Sequence, residues 1–138
     1  MDRLFVDTNI VLDLLANRAP FVIDAQELFT LADQQEVQLF VSSLTFANAH
    51  YILSQALKMH DARAVLRKLK VLITVLPLGD KVIDLALESD FTDFEDALQY
   101  HTALEHKLSM IITRNLKDFK SSAIPVFTAG DYLNLKRS

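Results

Sequence analysis

Asp93 and Asp96 stand three residues apart at the start of a segment with helical periodicity, a spacing that puts two carboxylates on one face of a first turn. Asp7 closes the apolar run Leu4-Phe5-Val6 and is followed by Thr8-Asn9 and a second helical pattern. Asp118 lies in Asn115-Leu116-Lys117-Asp118-Phe119, just past another apolar run. Four acids from such distant segments repel strongly if brought together at low dielectric, so a cluster of them predicts a cation in their midst. The chain has no Cys, and its His101/His106 pair is five apart, about 140° round a helix, and diverges. Oxygen-only ligands select a hard ion, Mg²⁺ or Mn²⁺. Such an ion favours phosphodiester hydrolysis, by acidifying the water that attacks phosphorus and offsetting charge on the leaving oxygen. Taken singly, each acid also has an ordinary role: Asp7 as a helix cap, Asp93 and Asp96 as complements to a helix N-terminus, Asp118 as a solvated loop residue. It is the set of four that argues for a site.

The elements around them decide whether the four can meet. Leu4 to Val6, Val37 to Val41, Ile73 to Leu76, Ser109 to Thr113 and Pro125 to Phe127 read as short buried strands. Between them run helical patterns: Asn9 to Leu15, Val22 to about Glu36, Leu44 to Lys58, a helix opened by His60-Asp61, Gly79 to about Glu88, and Asp93 to His106. Thr128-Ala129-Gly130-Asp131 has capping-box spacing for a terminal helix. Strands alternating with helices predict an α/β fold, a three-layer α/β/α sandwich on a mainly parallel central sheet of about five strands. In that arrangement the carboxyl ends of the strands share one edge. Asp7, the Ser42 to Asn48 segment and Thr113 to Asp118 gather there, with the first turn of the Asp93 helix within reach.

Composition narrows the function further. A chain of 138 residues that is 51% hydrophobic, with a mean hydropathy of +0.20, is expected to form a single domain spanning 1–138. No apolar run approaches the roughly 18 residues of a membrane span, and no signal-peptide region precedes the first strand, so a cytoplasmic protein is expected. Its net charge of -4 argues against holding nucleic acid through overall charge. A local patch must serve instead, and Arg63, Arg67 and Lys70 form a basic stripe at i, i+4 and i+7, with Arg114 nearer the acids. With two Gly and three Pro, the sequence has no low-complexity linker.

The pieces Phe5-Val6-Asp7-Thr8-Asn9, Ser42-Ser43-Leu44-Thr45, Asp93-Phe94-Glu95-Asp96-Ala97-Leu98 and Ile111-Ile112-Thr113-Arg114-Asn115-Leu116-Lys117-Asp118-Phe119 occur in an order that resembles the PIN-domain family, best known from VapC-type ribonuclease toxins. The resemblance covers almost the whole chain. It implies a Mg²⁺- or Mn²⁺-dependent ribonuclease with Asp7 and Asp96 as core metal ligands, Asp93 and Asp118 as supporting acids, and Thr8 or Asn9 steadying Asp7. It also implies a homodimer and, in the toxin branch, a small antitoxin partner. The sequence departs from the family at Asn48, where a Glu usually supplies the second acid, and at Asn115, where many members carry Asp. An amide oxygen can coordinate but brings no charge. The alternative is therefore a PIN-fold module that binds RNA or protein with weakened catalysis, and an acid restored at position 48 is expected to tighten Mn²⁺ binding. A haloacid-dehalogenase-like phosphotransferase is disfavoured because it wants Asp where Asn9 stands, and a two-component receiver because Pro77, not an acid, closes the third strand.

Overall fold

The computed structural model describes residues 1–138. Five strands, β1 (Asp2–Val6), β2 (Val37–Ser42), β3 (Ile73–Leu76), β4 (Met110–Ile112) and β5 (Val126–Phe127), form one sheet in the order β3-β2-β1-β4-β5 with every neighbouring pair parallel. Seven α-helices connect and flank them: α1 (Thr8–Leu15), α2 (Val22–Asp33), α3 (Ser43–Tyr51), α4 (Ala62–Lys70), α5 (Asp80–Glu88), α6 (Phe94–Glu105) and α7 (Ala129–Arg137).

Strand alternation explains the three layers. Leu4 and Val6 point to one face, where they pack with Ile10 and Val11 of α1, Leu28 of α2, Leu53 and Leu66. Phe5, between them, points to the other face and meets Tyr100 and Ala103 of α6 together with Phe119. β2 repeats the pattern, with Leu39 and Val41 on the first face and Phe40 on the second. A fully buried side chain of this size contributes about 1.5–3 kcal/mol, so the central strand is held from both sides. A third cluster, Val82, Ala86, Ala97 and Leu98, fixes α5 against α6.

Chain order reverses at β1. Strands β2 and β3 step outward on one side of it, and β4 and β5 on the other. The β1/β4 boundary is thus the switch point of the sheet, where doubly wound folds keep their ligand crevice. The register Val6↔Ile112 puts the next residues of the two chains, Asp7 and Thr113, side by side at that crevice.

The long helix expected over Leu44–Lys58 is interrupted. After α3 the chain widens into a π-helical turn, Ile52–Ala56, in which the Leu57 N–H reaches back five residues to the Ile52 carbonyl at 3.1 Å. The Ser54 hydroxyl donates to the His50 carbonyl at 2.7 Å, a competing bond of the kind that bends helices. Helix α2 likewise stops at Asp33, short of Glu36, because Gln35 adopts φ 61. The capping spacing at Thr128 is used as expected: its hydroxyl accepts from the Asp131 N–H at 3.0 Å.

Candidate functional site

Asp7 leaves β1 with extended backbone and becomes the N-cap of α1, its Oδ1 accepting from the Thr8 N–H at 2.8 Å. The capping role expected of a lone Asp here is real, yet it occupies one oxygen only. Oδ2 accepts from the Thr113 hydroxyl at 2.8 Å and more distantly from the Asn9 amide at 3.4 Å. Thr113 is itself fixed, because its hydroxyl accepts from the Asn115 N–H at 3.1 Å. Asp7 is 6% exposed, and burial pushes its carboxyl above the usual range. The bonds from Thr113 and Thr8 oppose that rise, while the charges of Glu95 and Asp118 add to it.

Helix α6 brings the second acid. Asp93 is the N-cap outside the helix, and its carboxylate accepts from the Asp96 N–H at 2.9 Å. Asp93 and Asp96 are therefore not twin side chains of one turn; one caps the turn that presents the other. Asp96 is half-buried, and its carboxyl is pushed up to about 7, first by burial and then by the negative charges of Asp7, Asp93, Asp118 and Glu95. Asp118 sits exposed in a 3₁₀ turn, Leu116–Phe119, that is anchored through buried Phe119. It shares a shallow cleft of about 230 Å³ with Asp90, Asp93 and Lys117.

A buried polar seam locks these elements in register. The Thr8 and Thr45 hydroxyls bond to each other at 2.8 Å, and the Gln99 amide donates to both at 3.1 Å. The Gln99 carbonyl oxygen in turn accepts from the Ser42 hydroxyl at 2.6 Å. Thus the first turns of α1 and α3 and the second turn of α6 are tied by a network that is wholly buried, where an unmet polar group is costly. Sequence reasoning placed Ser42 and Thr45 at the edge but missed Gln99, which lies one helical turn beyond Asp96 among apolar residues. A lone amide inside an apolar helix face was the available signal.

Asn48 does reach the site, though not as an open position beside Asp7. Its amide donates to the Glu95 carboxylate at 2.6 Å, so a Glu introduced at 48 would stand carboxylate against carboxylate. Arg114 is engaged elsewhere, with its Nε 3.0 Å from the Oδ2 of buried Asp13 and its guanidinium over the Phe21 ring at 4.1 Å. The N–H is poorly aimed at Asp13, which makes this a charge contact rather than a hydrogen bond. Arg63, Arg67 and Lys70 are exposed along α4, opposite its buried Ala62, Leu66 and Leu69. The stripe is separate from the segments that carry the acids, but Arg63 shares a shallow depression with Ala47, His50 and Tyr51, next to Asn48 in the chain.

None of the four acids is paired with a Lys or Arg. No three acidic or imidazole groups converge as a closed metal cage. A hard ion does not require one, since Mg²⁺ is commonly held by one or two carboxylates with water and substrate phosphate completing its shell. The donors fit such an ion: all are oxygens, Asp7 is pre-oriented by Thr8 and Thr113, and the buried Oδ1 of Asn9 has no partner in the protein.

Residues 3–117 match the PIN-domain family, which covers most of the chain. This chain belongs to the PIN-domain family. No curated protein matches the sequence. Among solved structures, the chain is similar to one in a toxin–antitoxin complex from Klebsiella pneumoniae, with 26% identity over 91% of this chain and 96% of that one and a TM-score of 0.67. It is also similar to a chain of DNA-bound VapBC from Salmonella typhimurium (18% identity, 94% and 99% covered, TM-score 0.71). The sarcin-ricin-loop-cleaving toxin VapC20 of Mycobacterium tuberculosis is similar over 78% of this chain and 86% of its own, at 16% identity and a TM-score of 0.62.

Proposed function

We propose that this PIN domain, acting as a single domain over 1–138, is a Mg²⁺- or Mn²⁺-dependent endoribonuclease and the toxin of a toxin–antitoxin pair. The observation that carries the reading is that Asp7 at the β1/β4 crevice and Asp96 in the first turn of α6, a helix keyed by the Gln99–Thr8 bond to the residue after Asp7, both lack a Lys or Arg partner, while burial and the surrounding acids raise both carboxyls. A cation supplies the missing positive charge and, when bound, acidifies water and offsets charge on the leaving oxygen. The protein's own part is positional. Asp7 and Asp96 hold the ion, Asp93 fixes the turn that presents Asp96, Thr113 and Asn9 aim Asp7, and Asp118 adds charge at the rim. Asn115 supports the same loop through its N–H to Thr113.

RNA contact is assigned to Arg63, Arg67 and Lys70, with Arg114 contributing only what its pairing with Asp13 leaves open. A small antitoxin as partner, a homodimer, and residence in the cytoplasm complete the reading. It is supported by the family and by the likeness to chains from toxin–antitoxin complexes. No helix is long and apolar enough to cross a membrane. The second reading, a PIN-fold binding module with weakened catalysis, is favoured by the uncharged Asn48. Calorimetric titration with Mn²⁺ followed by an RNA cleavage assay separates the two. Binding with cleavage supports the nuclease, and absence of both supports the module.

A further inference from the structure

We propose that Glu95 supplies the acid that position 48 lacks, and that the Asn48 amide is the positioning group that holds the Glu95 carboxylate toward the Asp7–Asp96 pair. This rests on the metal-dependent reading above and extends it to a residue outside the four acids.

Geometry carries the assignment. The seam Thr8–Thr45–Gln99 fixes α3 against α6 at the crevice. Asn48 lies three residues along α3 from Thr45, and Glu95 lies four residues back along α6 from Gln99, so both stand one turn from the seam on facing surfaces. There the 2.6 Å bond between them closes a second cross-link between the two helices. Glu95 is an exposed side chain on a flexible stem, and an exposed glutamate has no packing reason to stay in one rotamer. The Asn48 donor provides one. An acid at 48 could not do so, because it has no N–H to give. The amide at 48 and the carboxylate at 95 therefore act as a unit: the charge has moved from α3 to α6, and the α3 residue has become its support. Glu95 and Asp96 both stand in the first turn of α6, the end of the helix that the seam keys against α1 and α3, so the displaced charge stays at the same helix end as Asp96.

Mn²⁺ affinity measured by calorimetry on the full chain tests this, with far-UV circular dichroism as the check on folding. Asp7→Asn and Asp96→Asn are expected to lose Mn²⁺ binding. Glu95→Gln, which keeps shape and hydrogen bond but not charge, is expected to weaken it by about tenfold or more, and Asn48→Ala by about tenfold, as removal of a ligand's outer support does. In a Glu95→Gln background the Asn48→Ala change is expected to cost no more affinity, since it acts through Glu95. Wild-type affinity in Glu95→Gln alongside a weakened Asp96→Asn would overturn the role of Glu95 and leave the metal reading standing. Undiminished affinity in Asp7→Asn and Asp96→Asn would overturn both. An Asn48→Ala loss that persists without the Glu95 charge would overturn the coupling between the two residues.

Discussion

The hydroxyl of Thr113 donates to the Oδ2 of Asp7 at 2.8 Å, joining the ends of β4 and β1 across 106 residues of sequence. Both residues are buried, and each lies one position past the last paired rung of its strand. The bond thus ties the Asp7 carboxylate of the candidate site to the rigid middle of the sheet rather than to a loop. Replacing Thr113 by Val keeps the shape and removes the donor. The expected result is a loss of about 1–3 kcal/mol in folding stability, because a buried acceptor is left with one bond fewer. Weaker Mn²⁺ binding should accompany it, since Asp7 is then free to turn. Chemical denaturation and calorimetry check the two effects separately.

Asp7→Asn and Asp96→Asn are expected to abolish Mn²⁺-dependent RNA cleavage while keeping the fold. Both native carboxyls are raised mainly by burial, so their ionised forms oppose folding and the amides relieve that cost. Thermal melts of the metal-free variants at neutral pH should match or exceed the wild type. Retained turnover in either variant would remove it from the site.

The same shifts set a pH dependence. Asp96 moves from an ordinary value of 3.8 to about 7 in the folded protein, so the folded state holds a proton that the unfolded chain has lost. This contribution to stability is complete below about pH 3.8 and disappears as pH rises through about 7. Metal-free protein is therefore expected to melt at progressively lower temperature as pH is raised from about 5 to 8, the Asp96→Asn variant less steeply. Mn²⁺ at pH 8 should restore the wild type but not the variant. A flat profile for the wild type would contradict the crowding of acids at the crevice.

Gln99→Leu tests the seam. The Gln99 amide bonds Ser42, Thr8 and Thr45 while only 1% exposed, and an apolar leucine would leave the buried Ser42 hydroxyl without its partner and the Thr8 and Thr45 hydroxyls with only each other. A loss of about 2–4 kcal/mol is expected, at the upper range for buried hydrogen-bond deletions because several partners are affected. Mn²⁺ affinity should also fall, since α6 is no longer keyed to α1. Urea unfolding with calorimetry would register both.

Changing Arg63, Arg67 and Lys70 together to Gln should weaken RNA binding at low salt and flatten its salt dependence by about 0.7 for each phosphate that is no longer neutralised. All three are exposed on α4, so the fold is expected to be unaffected. An unchanged slope, measured by fluorescence anisotropy over a salt series, would make the stripe a solvated face and nothing more.

The sequence by itself determined the layers and the edge. Leu4, Phe5 and Val6 mark the central strand because a parallel strand buried on both faces has few alternatives to continuous apolar residues. The alternation of strands and helices then puts every strand end on one side, and Asp7 with it. Asp96 was legible for a local reason as well, as it sits in a first turn whose cap chemistry is visible in sequence. What only the tertiary structure decided was which side chain answers which. The bonds from Asn48 to Glu95 and from Gln99 to Thr8, Thr45 and Ser42 span 47 to 91 residues and depend on the relative rotation of packed helices, which periodicity leaves free. Position 48 read in isolation was a missing charge; packed against α6 it is a donor to a carboxylate. Arg114 changed in the same way, from a free cation near the acids to the partner of buried Asp13. Hydrophobic patterning fixes which face of an element is buried, but polar partnerships form at the seams between elements, and those are set by the packing of the whole chain.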